Sequence, residues 1–141
     1  MTRHSLQNKR PHDRPWETDL AGFSSNFPHP FGTADGKYFT TLLTISPAVD
    51  QMPLSFAKAL ITNEQFGKDE VPDYLEISFS STDYVDHIFG PSSLESEDNI
   101  LQLDQPLSEL FSFIEETVGL ENTIIVLSVD HGSPEVPGYL N

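Results

Sequence analysis

Two short clusters in this 141-residue chain combine a carboxylate with an imidazole, a donor pair that suits a zinc-type ion. The first is Asp130-His131-Gly132, directly after residues 123–129, Thr-Ile-Ile-Val-Leu-Ser-Val. The second is Asp83 and His87, at i and i+4 within Ser-Ser-Thr-Asp-Tyr-Val-Asp-His. If a helical turn begins near Thr82, both side chains project from one face, close enough to hold one ion. Each cluster taken alone has an ordinary explanation. Asp130 is then a turn cap beside a surface histidine, and Asp83 with His87 a surface ion pair. Their shared placement just past strand-like runs singles them out, because open α/β sheets carry their sites at the carboxyl ends of strands.

The elements that must position these residues follow from the pattern of apolar side chains. The run 123–129 is almost unbroken in β-branched and apolar residues, as in a central strand covered on both faces. In 73–80, Leu75, Ile77 and Phe79 alternate with Tyr74, Glu76 and Ser78, which predicts a second strand. A helix is predicted over 53–66, with Leu54, Ala57, Leu60 and Ile61 on one face and Gly67 as a left-handed stop. A longer helix over 92–118 carries the stripe Ile100, Leu103, Leu107, Leu110, Ile114 and Val118, whose role is core packing. Ser92 with Glu95 matches a capping box, Gly119 is a stop, and Pro106 is expected to kink or divide the helix. Aromatic and β-branched residues over 38–45 read as a short strand. Residues 1–30 carry four prolines and no apolar period, so His4, His12 and His29 read as exposed loop histidines. The chain thus divides into an irregular, Pro-rich segment, 1–49, and an α/β segment, 50–141. Strands at 73–79 and 123–129 are expected to run parallel, joined by a right-handed crossover. Both ligand pairs then lie on one edge of the sheet.

Composition narrows the partners. Twenty-two acidic residues against seven basic ones set a formal net charge of −15. Such a chain lacks the basic footprint of a nucleic-acid binder and repels an anionic membrane. An anionic substrate approaches it only where bound cations reverse the local field. There are no cysteines, hence no disulfides or thiolate metal sites. No apolar run reaches the length of a membrane span, and residues 1–14 lack the apolar stretch of a signal peptide.

The run Ser78-Phe79-Ser80-Ser81-Thr82-Asp83-Tyr84-Val85-Asp86-His87, the tract from Glu97-Asp98-Asn99 through Leu103-Asp104, and Ser128-Val129-Asp130-His131-Gly132 resemble the alkaline phosphatase superfamily. Within it the match is to bacterial alkaline phosphatases grouped with type I phosphodiesterase/nucleotide pyrophosphatases, and it covers 50–140 well. The resemblance implies a parallel-sheet α/β sandwich, only part of which is present. It also implies a zinc-dependent phosphoric-ester hydrolase acting on a small phosphate ester. Two zinc ions are expected, Asp83 and His87 at one and Asp130 and His131 at the other. One ion would activate the nucleophile and the other stabilise the leaving oxygen.

The family's nucleophilic Thr or Ser, a further metal-binding Asp, a third ligand His and the basic phosphate clamp match nothing here. Thr82 occupies a strand-end position and is not the nucleophile. The sequence therefore reads as an interior piece of a larger enzyme or as an incomplete gene product. The resemblance further implies export to the periplasm or beyond. A phosphodiesterase or sulfatase-like relative, or a catalytically inactive metal-binding domain, are the alternatives. Asp86 stands where the family usually has Gly, either behind His87 as a supporting partner or as a solvated side chain.

Overall fold

The computed structural model describes residues 27–30 and 32–136. The expectations for residues 1–26, including His4 and His12, lie outside the described residues. Among the described residues four α-helices form: α1 (Phe39–Thr44), α2 (Gln51–Asn63), α3 (Ser81–Phe89) and α4 (Leu94–Thr117). Single 3₁₀ turns stand at Pro47–Asp50 and Leu120–Asn122.

Helix α1 replaces the strand expected over 38–45. Leu42 and Ile45, three residues apart, are buried on one helical face and pack with Val85 and Phe89 of α3. Packing on a neighbour outweighs the β propensity of Tyr38, Phe39, Thr40 and Thr41, since such propensity largely records context. Helix α2 matches its expected face, burying Leu54, Ala57 and Ile61. Its stop is not Gly67. Gln65 already takes a left-handed φ of 58°. The Phe66 N–H then donates to Ile61 O at 3.1 Å, closing the helix end.

Helix α4 forms where expected, but its cap lies one residue later than the predicted box. Ser93 is the N-cap, its side chain accepting from the Ser96 N–H at 3.1 Å. Glu95 turns instead to His29, Oε1 to Nε2 2.7 Å. His29 is therefore no exposed loop histidine: it is nearly buried and stacks on Phe89, ring planes 12° apart. Pro106 does not divide α4, which runs unbroken past it with the ring buried. The buried face of α4 is Glu95, Ser96, Asn99, Pro106 and Leu110. It overlaps the apolar stripe at Leu110, while Ile100 is 56% exposed. Gly119, at φ 92°, ends the helical segment as expected.

No strand forms among the described residues, so the parallel pair at 73–79 and 123–129 is corrected. The period of two survives at Leu75, Ile77 and Phe79, which are half-buried between exposed neighbours. The second segment is apolar on both faces and exposed on both, with Ile124 at 93% and Val129 at 86%. A strand exists through ladder bonds to neighbours; these segments have the side chains for a sheet interior but no ladder partner among the described residues. Among those residues, too, no helix is long and apolar enough to cross a membrane.

Polar groups are buried deep in this helical assembly. Burial pushes the Asp50 carboxyl above its ordinary 3.8, against hydrogen bonds from Ser81, and burial likewise raises Asp98. A raised carboxyl favours the folded state fully below the unfolded value; that contribution is lost as pH climbs through the folded value. Melting temperature should accordingly decline as pH rises above the ordinary carboxyl value of 3.8, and Asp50→Asn should flatten part of the decline. Thermal melts from that value upward, followed by circular dichroism, check it; an unchanged slope in Asp50→Asn counts against the assignment.

Candidate metal centre

Helix α3 places the first pair. Ser81 opens the helix and Phe89 closes it, so Asp83 and His87 stand one turn apart on one face. At about 100° per residue, Ser81, Val85, Phe89, Thr82 and Asp86 sweep a continuous arc, and Asp83 and His87 lie beside it. The arc is the buried side, apart from half-buried Thr82, and the ligand pair sits at its solvent margin.

The second pair arrives from the other end of the chain. His131 Nε2 lies 3.5 Å from Asp83 Oδ1, and His87 Nε2 lies 3.2 Å from the same oxygen. The two imidazole centroids are 5.9 Å apart. One ligand atom from each of Asp83, His87 and His131 falls within 4.8 Å of the others. The clusters that the sequence separates are thus brought together. Asp130 is the outlying member: its side chain is 89% exposed and its Oδ2 is 3.6 Å from His131 Nε2. The His131 ring accordingly stands between two carboxylates. Its backbone N–H donates to Asp130 Oδ1 at 3.1 Å, and its Nδ1 is 3.2 Å from Gly132 O.

That last contact bears on the ligand question. A carbonyl accepts only, so Nδ1 is the donor there, and Nε2 is the ring nitrogen turned toward Asp83 and placed to ligate an ion. Asp83 Oδ1 is itself buried and accepts no hydrogen bond. Tetrahedral zinc with bonds of about 2.0–2.1 Å spaces its ligand atoms about 3.3–3.4 Å apart. The 3.2 and 3.5 Å separations fit that edge length.

The loop after the histidine is anchored to the turn between α3 and α4. Ser92 Oγ donates to Glu135, and a Cβ at Gly90 would stand 3.3 Å from Val136. Gly90 also holds φ 88°, which a side chain would strain. This clamp is unreadable in the sequence, since Ser92 and Glu135 are far apart along it. Asp86 resolves into neither expected role beside His87: it is buried and accepts from Ser96 Oγ at 2.6 Å, tying α3 to α4.

The sequence profile of the type I phosphodiesterase / nucleotide pyrophosphatase family matches residues 3–141. Alkaline phosphatase PhoV of Synechococcus elongatus is 40% identical over 128 residues, 90% of this chain and 23% of PhoV. Alkaline phosphatase PafA of Elizabethkingia meningoseptica is 36% identical over 126 residues, 89% of this chain and 23% of PafA. The crystal structure of wild-type PafA superposes with a TM-score of 0.66 at 36% identity, covering 74% of this chain and 20% of that one. The chain spans about a quarter of the length of these curated relatives.

Proposed function

The chain belongs to the type I phosphodiesterase / nucleotide pyrophosphatase family, and from that premise we propose that it forms the metal-holding part of a zinc-dependent phosphoric-ester hydrolase of the alkaline phosphatase type. The observation that carries the reading is the convergence of Asp83, His87 and His131 on one small volume. In the 141-residue chain Asp83, His87 and His131 hold one ion; in a full-length enzyme Asp83 and His87 would hold one ion and Asp130 and His131 a second, with His131 within reach of both. Bound zinc supplies charge neutralisation for a phosphoryl oxygen and for the oxygens that attack and leave. Asp83 contributes a buried carboxylate oxygen that lacks a hydrogen-bond donor. Gly132 O holds the His131 ring so that Nε2 faces inward. In a chain of net charge −15, a phosphate ester is admitted where cations offset the acidic field. The substrate is a small phosphate ester, and the location is the periplasm or outside the cell, as the relatives' kinship suggests.

The 141-residue chain alone should show no multiple turnover of an aryl phosphate with added zinc, because no residue here is assigned as nucleophile or phosphate clamp. The decisive experiment transfers residues 73–136 into the corresponding stretch of the Elizabethkingia alkaline phosphatase. A chimera that folds should hydrolyse the aryl phosphate with zinc, and Asp83→Ala within it should lower kcat/KM by about 10³-fold. A folded chimera without activity, or one indifferent to Asp83→Ala, defeats the proposal.

A further inference from the structure

The ligand pair on α3 points where the rotation of that helix about its axis sends it. Side-chain tips ride about 5–6 Å from a helix axis, so a turn of about 10° moves a ligand atom about 1 Å. Functional constellations tolerate about half that displacement. The apolar contacts of Val85 and Phe89 with Leu42 and Ile45 resist separation but set rotation loosely, since burial is not directional. Hydrogen bonds are directional, and three side-chain clasps flank the apolar contact.

On one edge of the buried arc Asp50 accepts from the Ser81 N–H at 3.3 Å and also from Ser81 Oγ. On the other edge Asn99 Nδ2 donates to Thr82 Oγ1 at 2.8 Å, and Ser96 Oγ donates to Asp86 at 2.6 Å. The clasps on the second edge come from α4. Asp50 alone comes from the opposite side, where it ends the Pro47–Asp50 turn and begins α2. It is 2% exposed, Ser81 is wholly buried, and both hydrogen bonds of Asp50 go to Ser81. A buried carboxylate is a poor choice for stability, because a well-packed apolar pair does as well or better. A directional tie on the first residue of α3 is what such a carboxylate adds.

We propose that Asp50 is a positioning residue for the metal cluster, acting through Ser81 to fix the rotation of α3 and so the aim of Asp83 and His87. The inference rests on the metal-binding reading of Asp83, His87 and His131. Asp50 does not touch the ion; it touches the residue two positions before the first ligand.

The test is metal titration of the 141-residue chain, with zinc for affinity and cobalt(II) absorption for ligand geometry. Asp50→Ala should weaken zinc binding by about tenfold and alter the cobalt bands, as loss of a supporting partner does. Ser81→Ala removes the other half of the same pair and should give the same loss. Asp50→Asn keeps an oxygen for Ser81 and should restore affinity to within about twofold. Leu110→Ala, about three turns further along α4 than Asn99, should destabilise the fold yet leave zinc affinity unchanged. Zinc affinity within twofold of wild type in both Asp50→Ala and Ser81→Ala overturns the inference and spares the metal reading. An equal loss in Leu110→Ala also overturns it, since general loosening then accounts for the effect. A wild-type chain whose zinc binding does not depend on Asp83 overturns the metal reading and the inference with it.

Discussion

Phe89→Ala should destabilise the chain by about 3–5 kcal/mol, the usual range for removing a buried aromatic ring. Phe89 is 5% exposed and closes α3. Its ring meets Leu42, Ile45 and Val85 on one side and stacks on His29 on another. Among the described residues its cluster holds Leu42, Ile45 and Val85 with half-buried Ile88 beside them, aliphatic side chains that cannot fill the volume of a ring. Total stabilities of small domains are about 5–15 kcal/mol, so a loss of this size removes about a fifth of it or more. Urea unfolding reads it as a lower midpoint at constant slope. Tyr84→Ala, on the exposed side of the same helix, should stay within about 0.5 kcal/mol of wild type. Added zinc should recover part of the Phe89→Ala loss, because an ion that binds only the folded state stabilises it by mass action. Similar midpoints for the two variants would mean that α3 is not held by this cluster.

What the sequence discloses here is what is local. The i, i+4 relation of Asp83 and His87 needs only one helical turn, and that turn formed where a polar Ser-Ser-Thr precedes an apolar Val85 and Phe89. Helices α2 and α4 have apolar periods long enough to be read, and the alternation at Leu75, Ile77 and Phe79 survives in their burial. What stayed hidden depends on pairing across the chain. Residues 38–45 look β-prone one by one, yet fold as α1 because Leu42 and Ile45 find α3. Asp50 and Ser81 are 31 residues apart, and His29 and Glu95 are 66 apart. No motif links either pair. The two strand-like segments have the composition of a sheet interior, which states what they need rather than what lies beside them; among the described residues no ladder supplies it. The fold of alkaline phosphatase PafA, which 74% of this chain matches, is represented among the described residues by helices and by two extended segments without a ladder.

Asp83→Ala should abolish measurable zinc binding, while Asp130→Ala should weaken it by less than about tenfold. The difference follows from placement. Asp83 Oδ1 is buried, lacks a hydrogen-bond donor, and has two imidazole nitrogens at 3.2 and 3.5 Å. Its removal leaves two histidines without the atom that both of them face. Asp130 is almost fully exposed, and its carboxylate is already engaged with the His131 backbone. Such a group is screened by water and contributes little until something orders it. Catalytic zinc usually keeps three protein ligands, and Asp83, His87 and His131 are three. The alternative, two ions each held by one carboxylate–imidazole pair, makes a different forecast: Asp83→Ala and Asp130→Ala would each remove one of two equivalents. Isothermal titration separates the two through stoichiometry as well as affinity. One equivalent bound by wild type, lost in Asp83→Ala and in His131→Ala but kept in Asp130→Ala, fits a single ion shared across the clusters. Two equivalents, with one surviving in each variant, would show that the pairs act apart and that the 3.5 Å approach of His131 to Asp83 is only a hydrogen-bonding neighbourhood.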